Sequence, residues 1–206
     1  MSKFLAVDTS AGYLTVAVYN EGKETVSFVA DCAMNHSVIL TDEIDKALDK
    51  AGITAAECDF FAAVTGPGSF TGIRIGLSCV KGYAAALNKK AVGVTAFDLL
   101  SYNINSGCDY LTAIDAAHGN YYVCGYDFNG GRTLEPCCLS AEEIISLGKP
   151  VYGTGEAALP LYTKLDPAKC LVPAAIKAEE RGGSPTALYV KKPQAEEERE
   201  RRVNGV

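Results

Sequence analysis

A glycine-rich loop at residues 66–72 is the part of this 206-residue sequence that most directly suggests chemistry. It contains three glycines, a proline and the hydroxyl side chains of Ser69 and Thr71, and it lies between an apolar run and a helical pattern. Backbone N–H groups at the start of a helix bind anions, because the helix dipole is positive there. The loop is therefore a candidate anion-binding loop. The alternative is a tight turn that needs glycine conformations and binds nothing.

A second candidate is the segment Asp8-Thr9-Ser10, which follows the first apolar run of the chain. Carboxylates at strand ends that face a cleft are typical of sites that hold a metal–nucleotide complex. The alternative is that Asp8 caps the following turn, and we favour that interpretation for Asp115, which occupies a similar place in the second half. The candidate anion-binding residues are Asp8, Thr9, Ser10, Gly66, Gly68, Ser69 and Thr71.

Residues suited to metal binding or acid–base catalysis are scarce. The sequence has two histidines, His36 and His118, and neither has a cysteine or carboxylate at metal-ligand spacing. Active sites built on several histidines are therefore excluded. We predict neither a catalytic residue, nor a metal ligand, nor a cofactor bound by this chain itself.

Composition restricts the partners and the location of the protein. There are 19 basic and 25 acidic side chains, and the net charge of −6 argues against binding nucleic acid over most of the surface. No uncharged apolar run approaches the ~18 residues of a membrane span, and Asp8 interrupts the N-terminal apolar stretch. The eight cysteines lack C-x-x-C spacing and are expected to be free thiols. We expect a cytoplasmic protein.

Hydrophobic patterns predict the elements that position these residues. In the first half they are a strand at 3–8, a hairpin at 14–28, a helix at about 37–51, a strand at 60–64, a helix at about 72–87, a strand at 92–94 and a helix from Phe97. After a second hairpin we predict a helix at 141–147, a strand at 150–153, a helix at 155–165 and a strand at 169–172.

A shift of 107 residues aligns the two halves of the chain. The matched pairs are Asp8 and Asp115, Gly12 and Gly119, Val16 and Val123, and Tyr19 and Tyr126. Because the order of elements also matches, we predict a duplicated β-β-β-α-β-α unit. The lobes are expected at 1–105 and 106–190, followed by a charged tail at 191–206.

The helix predicted at 72–87 carries small residues along one edge: Gly72, Gly76 and Ala84. Small residues let a neighbouring backbone approach closely, so this helix and the one at 37–51 are a candidate docking surface for another chain. The alternative is a pair of ordinary core helices covered by their own sheet. The candidate interface residues are Leu40, Ile44, Leu48, Gly72, Ile73, Gly76, Leu77, Val80 and Tyr83.

Four motifs together resemble the TsaB (YeaZ) family. They are Leu5-Ala6-Val7-Asp8-Thr9-Ser10, Asn35-His36-Ser37, the block from Gly66 to Gly76 and the late Tyr189-Val190-Lys191. The chain length and the low histidine content resemble those of TsaB more than those of its catalytic relative TsaD. The sequence departs from the family at Asp115-Ala116-Ala117-His118, where an Asp-Ala-Arg block is usual.

The resemblance implies an α/β architecture, the duplicated actin/Hsp70/sugar-kinase-like fold, with two lobes of mixed sheets flanked by helices. It also implies a non-catalytic scaffold role in the synthesis of threonylcarbamoyladenosine at position 37 of tRNAs that read codons starting with A. The expected partners are a TsaD-like catalytic subunit, docked through the two first-lobe helices, and a TsaE-like ATPase. ATP and metal are expected in those partners, tRNA is expected to be contacted only indirectly, and the chain alone is expected to form a homodimer.

Three other functions remain as alternatives. A small ATP-dependent phosphotransferase of the sugar-kinase-like class predicts tight ATP binding by the chain alone. A peptidase is disfavoured, because the sequence shows no zinc motif and no Ser/His/Asp set. A direct RNA-binding module conflicts with the negative charge.

Overall fold

The computed structural model describes residues 2–190, which form two five-stranded sheets and five α-helices. The first half contains β1 (Lys3–Asp8), β2 (Leu14–Asn20), β3 (Lys23–Val29), α1 (His36–Ala51), β4 (Phe60–Val64), α2 (Phe70–Leu87), β5 (Lys90–Val94) and α3 (Ala96–Ser101). The second half contains β6 (Tyr110–Asp115), β7 (Asn120–Tyr126), β8 (Arg132–Ser140), α4 (Ala141–Ser146), β9 (Val151–Gly153), β10 (Tyr162–Lys164) and α5 (Pro167–Glu180). The predicted tail at 191–206 lies outside the described residues.

The two sheets have the same topology. Their strand orders are β3-β2-β1-β4-β5 and β8-β7-β6-β9-β10. In the first sheet, β2 pairs antiparallel with both β1 and β3, and β4 and β5 continue the sheet in parallel from β1. In the second sheet, β7 pairs antiparallel with both β6 and β8, and β9 and β10 continue it in parallel from β6. Asp8 and Asp115 end the equivalent strands β1 and β6. The predicted duplication is confirmed.

The strands of the first sheet carry apolar side chains on both faces, and helices cover both faces and bury them. In β1, Leu5 and Val7 point towards α1 and α2, where Ile44 and Ile73 complete the core. Phe4 and its alternating neighbours point the other way and pack against α5. The second sheet is covered by α4 on one face and by α3 on the other.

The last helix of each unit packs on the sheet of the other unit. Helix α3 ends the first unit but contacts β6 and β7, and its Phe97 packs with Tyr110 and Tyr126. Helix α5 ends the second unit but covers β1, β2 and β5, with Leu171 and Ala175 in the core. The two units are therefore joined by exchanged helices as well as by the chain itself.

Local signals explain where the two long helices begin and end. Helix α1 has buried apolar residues every fourth position and stops at Gly52, which takes the left-handed conformation with φ of 69°. Helix α2 begins two residues before its predicted start, because the Ser69 side chain caps it by accepting a hydrogen bond from the Gly72 N–H at 3.1 Å.

Two predicted elements near the C-terminus are wrong. Residues 155–165 do not form a helix: the segment contains Pro160, which lacks an N–H group, and the short strand β10 lies within it. Residues 169–172 are not a strand but part of α5, which Asp166 caps and Pro167 opens. Their continuous apolar run is the buried face of this helix, not a strand of the sheet.

Candidate functional site

Two of the predicted site segments meet at the carboxyl ends of the parallel strands β1 and β4. The N–H of Ser69 donates to the Ser10 carbonyl at 2.7 Å, and the Thr9 hydroxyl donates to the Gly72 carbonyl at 2.7 Å. The segment 8–10 and the glycine-rich loop therefore form one compact structure. This is the edge of a sheet at which α/β proteins place their ligands.

Glycines in the loop and in α2 make this packing possible. A Cβ atom at Gly72 would overlap the Thr9 carbonyl oxygen, and one at Gly76 would lie 2.5 Å from the Thr9 hydroxyl. At Gly68 it would overlap the Ser10 carbonyl oxygen. The small residues permit a close approach, as the sequence indicates, but the neighbour is the end of the chain's own first strand.

The same contacts occupy part of the predicted anion-binding loop. The Ser69 N–H is bonded to Ser10, and the Gly72 N–H is bonded to the Ser69 side chain. Thr71 is exposed in the first turn of α2. Anion binding at this loop stays a prediction, and it would use the other N–H groups of that turn.

Asp8 is a buried carboxyl group that shapes the turn after β1. Its Oδ1 accepts hydrogen bonds from the Ser10 N–H at 2.9 Å and from the Ser10 hydroxyl at 2.6 Å. Burial raises the pKa of Asp8, although hydrogen bonds from Ser10 and Tyr13 act in the opposite direction. Asp115 likewise accepts from the Ala117 N–H at 2.8 Å, so the turn-cap interpretation of Asp115 is confirmed.

Tyr13, which the sequence patterns do not single out, connects the two units. Its hydroxyl donates to the Thr154 hydroxyl at 3.3 Å, and its carbonyl accepts a hydrogen bond from His36 Nε2 at 3.0 Å. Burial and the nearby Asp8 carboxyl raise the pKa of Tyr13 well above its usual value. Sequence gives no signal for this contact, because Tyr13 and Thr154 are 141 positions apart and meet only when the units pack.

The four motifs that carry the family resemblance converge in this region, except for Lys191, which lies outside the described residues. The segment 5–10 contacts the glycine block, and His36 of the second motif bonds to Tyr13. The ring of Tyr189 lies 5.1 Å from the ring of Phe70. Motifs that are far apart in sequence are therefore neighbours around the first strand and the start of α2.

Arg74 joins the last of these motifs to α2. Its guanidinium lies 3.7 Å from the centre of the Phe70 ring, and its Nε donates to the Tyr189 hydroxyl at 3.3 Å. The preceding Leu188 N–H donates to the Thr65 carbonyl at 2.8 Å. The segment 183–190 is thereby fixed across the end of the first sheet.

The residues named for the docking surface need a correction. The apolar side chains of that set are core residues, and Tyr83 is half-buried with its ring stacked 5.4 Å from Phe61. The residues concerned are Leu40, Ile44, Leu48, Gly72, Ile73, Gly76, Leu77, Val80 and Tyr83. Because periodicity identifies the apolar face of a helix, it selected the face that packs on the sheet. The opposite face of α1 and α2 is exposed, and it includes Val38, Ser78, Gly82 and Ala85.

Residues 2–190 have neither a metal cluster, nor a disulfide bond, nor a helix suited to a membrane. No group of three or more His, Cys, Asp or Glu in that range is arranged to hold a metal ion. The eight cysteines are free. None of the helices there is long and apolar enough to cross a membrane.

Comparison with known proteins finds similar proteins whose names refer to tRNA modification. Residues 30–169 match the family model described as TsaD, tRNA N6-adenosine threonylcarbamoyltransferase. A relative from Escherichia coli (strain K12), named tRNA threonylcarbamoyladenosine biosynthesis protein TsaB, is 30% identical over 62% of this chain and 57% of its own length. The TsaB protein of Buchnera aphidicola subsp. Schizaphis graminum is 31% identical over 70% of this chain and 69% of its own. The chain thus spans just over half of the Escherichia coli relative.

Two solved structures from Pseudomonas aeruginosa share the fold over nearly the whole chain. The structure titled YeaZ superposes with a TM-score of 0.75 at 28% identity, covering 92% of this chain and 100% of that one. An uncharacterized protein described as similar to peptidase YEAZ gives a TM-score of 0.76 at 27% identity, with 93% and 100% coverage. Together with the duplicated topology, this confirms the predicted actin/Hsp70/sugar-kinase-like α/β fold.

Proposed function

Since this chain belongs to the TsaB/YeaZ family, we propose that it is a non-catalytic subunit of the complex that transfers threonylcarbamoyl to adenosine 37 of tRNA. Its role is to bind and activate a TsaD-like catalytic protein, with a TsaE-like ATPase as a further partner. The curated relatives named TsaB support a role in threonylcarbamoyladenosine synthesis. The match to the TsaD model supports a common origin of this chain and TsaD. Such a subunit works in the cytoplasm, leaves ATP and metal to its partners and contacts tRNA only indirectly.

One glycine on the exposed face of α2 carries the proposal that this face is a docking surface. A Cβ atom at Gly82 would meet no atom within 4 Å, and the residue has no left-handed backbone that requires glycine. Glycine in a helix interior costs about 1 kcal/mol relative to alanine. Within residues 2–190 no contact requires a glycine at this position, whereas the close approach of a partner helix would require one.

The neighbouring surface supports the same use. Ser78 and Ala85, one turn before and after Gly82, are also small and exposed. Two exposed apolar side chains also lie near the start of the other helix: Val38 of α1 is 69% accessible, and Met34, two residues before α1, is 92% accessible. Exposed large apolar residues are more frequent in protein interfaces than on the rest of a surface.

The docking surface is tested by adding bulk at Gly82. The chain is co-expressed with the TsaD protein of the same genome, and complex formation is measured by size-exclusion chromatography with light scattering. We expect the wild type to form a complex and Gly82→Arg to abolish it. The control is Gly107→Arg, which adds the same side chain at an exposed loop glycine with open space. An intact complex with Gly82→Arg would refute this surface.

The Gly76→Arg substitution, which the sequence would suggest, is unsuitable for this test. Gly76 faces Thr9 inside the molecule, so an arginine there would disturb the fold as well as any interface. Gly82→Arg separates the two effects, because its side chain points to solvent. The same pair of variants also tests self-association: if the chain alone dimerises through this face, only Gly82→Arg becomes monomeric.

The pathway is tested in cells. Deleting the gene should remove threonylcarbamoyladenosine from whole-cell tRNA, as measured by mass spectrometry of nucleosides. Wild type and Gly107→Arg should restore it, and Gly82→Arg should not. Unchanged modification in the deletion strain would exclude this role, whatever the result of the binding experiment.

A further inference from the structure

We propose that the cleft between the two units binds a small organic cation with an apolar body, such as an amidinium or a guanidinium. The cleft is a cavity of about 630 Å³, within the range of small-molecule sites. The hairpin between β1 and β2 and the end of β3 form one wall, and residues 164–167 of the second unit form the other. This inference does not depend on the proposed docking surface.

Aromatic side chains form the first wall. The rings of Tyr13 and Phe28 lie 5.5 Å apart with an interplanar angle of 38°. Phe28 is 42% exposed although it is a large apolar side chain, and it borders the cavity. Leu165 and Pro167 line the opposite side. The faces of aromatic rings attract cations, and the attraction is strongest where water is excluded.

The charges that line the cavity favour a cation. Two carboxyl groups border it, Asp31 from the first unit and Asp166 from the second, against one ammonium group, that of Lys164. The Lys164 ammonium is already paired with Glu156. One Asp166 oxygen accepts the Ala168 N–H, and the other lies 3.6 Å from the Lys169 ammonium, so Asp31 is the less engaged carboxyl. A polyphosphate is disfavoured here, because its negative charges would lie close to those of Asp31 and Asp166.

Tyr13 of the aromatic wall is held in place by hydrogen bonds within the chain. The Tyr13 carbonyl is bonded to buried His36, and the Tyr13 hydroxyl reaches Thr154 across the cleft. A residue that is fixed through both its backbone and its hydroxyl group loses little freedom on binding, which favours affinity. The loop N–H groups that would serve a phosphate at this end of the sheet are partly used within the chain, as at Ser69.

Benzamidine is the probe for this site, because it combines an aromatic ring with a permanent amidinium charge. Titration calorimetry on the full chain should show saturable binding with one site per molecule. Benzamide, which has nearly the same shape without the charge, should bind at least about tenfold more weakly. Equal binding of the two compounds, or no binding of benzamidine, would overturn the proposal. Tight binding of Mg-ATP would also overturn it and would favour the phosphotransferase alternative.

Variants locate the site. Asp31→Asn should weaken benzamidine binding about tenfold, and Asp166→Asn should weaken it less while keeping the helix cap, since Asn caps as well as Asp. Phe28→Ala should also weaken binding. Asp45→Asn, which removes an exposed carboxyl of α1 outside the cleft, is the control and should bind like wild type. Binding that survives both Asp31→Asn and Phe28→Ala would exclude this cavity.

Discussion

The direction in which a glycine faces decides its role in α2. Gly72 and Gly76 face the end of β1, and each leaves room for an atom of Thr9. Gly82 faces solvent, and among residues 2–190 no atom lies within 4 Å of where its Cβ would be. The first two are explained by the fold, whereas the third is accounted for by the docking role that we propose.

Alanine substitutions should separate these roles. Gly72→Ala should lower the free energy of unfolding by about 2–3 kcal/mol, because its Cβ would overlap a backbone carbonyl oxygen that cannot move freely. Gly82→Ala, the matched control, should raise it by about 0.5–1 kcal/mol, since alanine is the better helix former. Urea unfolding measures both values. Equal effects of the two substitutions would contradict this assignment of inward and outward faces.

Asp8 should give the stability of the protein a distinctive pH dependence. Its pKa in the folded state is raised above its ordinary value by burial, so between these two values the folded protein holds more protons than the unfolded chain. Stability therefore falls as pH rises through that interval. The unfolding free energy of the wild type, taken relative to that of Asp8→Asn, should therefore decrease as the pH rises above the ordinary pKa of an aspartate, about 3.9.

Urea unfolding at several pH values measures this difference, and Asp45→Asn controls for the loss of one exposed charge. A wild-type stability that rises with pH relative to Asp8→Asn would mean that hydrogen bonds from Ser10 outweigh burial.

At the scale of elements, sequence periodicity predicts what is local and misses what depends on packing. It predicts the first and last residues of α1 and α2 to within two positions, because the apolar spacing and the capping residues lie in or next to the helices themselves. It fails for α5, whose run Cys170-Leu171-Val172 has the composition of a strand, and it cannot tell a docking face from a core face. The strand-end segment and the glycine loop were found because both are unusual in composition. Tyr13 and the cleft were not, since their neighbours come from the other unit.

The segment 183–190 is an element without regular structure that should nevertheless stabilise the fold. Leu188 and Val190 pack with Phe97 and Tyr110, and the Gly93 N–H donates to the Gly183 carbonyl at 3.1 Å. Ending the chain after Gly182 should lower the free energy of unfolding by at least about 2 kcal/mol, through lost burial and hydrogen bonds. Ending it after Val190 leaves all these contacts and is the control. If both truncated chains unfold at the wild-type urea concentration, the segment has no stabilising role.

At the scale of the whole molecule, the exchange of α3 and α5 should make the two units unfold together. Each sheet depends on a helix from the other unit to cover one face. Scanning calorimetry should show one transition, with equal van't Hoff and calorimetric enthalpies. The fragment 1–105 lacks α5 and should show no cooperative transition. Two resolved transitions in the full chain, or a stable fragment, would show that the units are independent.

The exchange also sets the order in which the protein can be completed on the ribosome. The first sheet is fully synthesised once β5 has emerged, but one of its faces is covered by a helix that ends at Glu180. Throughout the synthesis of the second unit, the nascent chain therefore carries an apolar sheet face that α5 has yet to cover. During that interval the chain is a natural client for chaperones that bind exposed apolar surface.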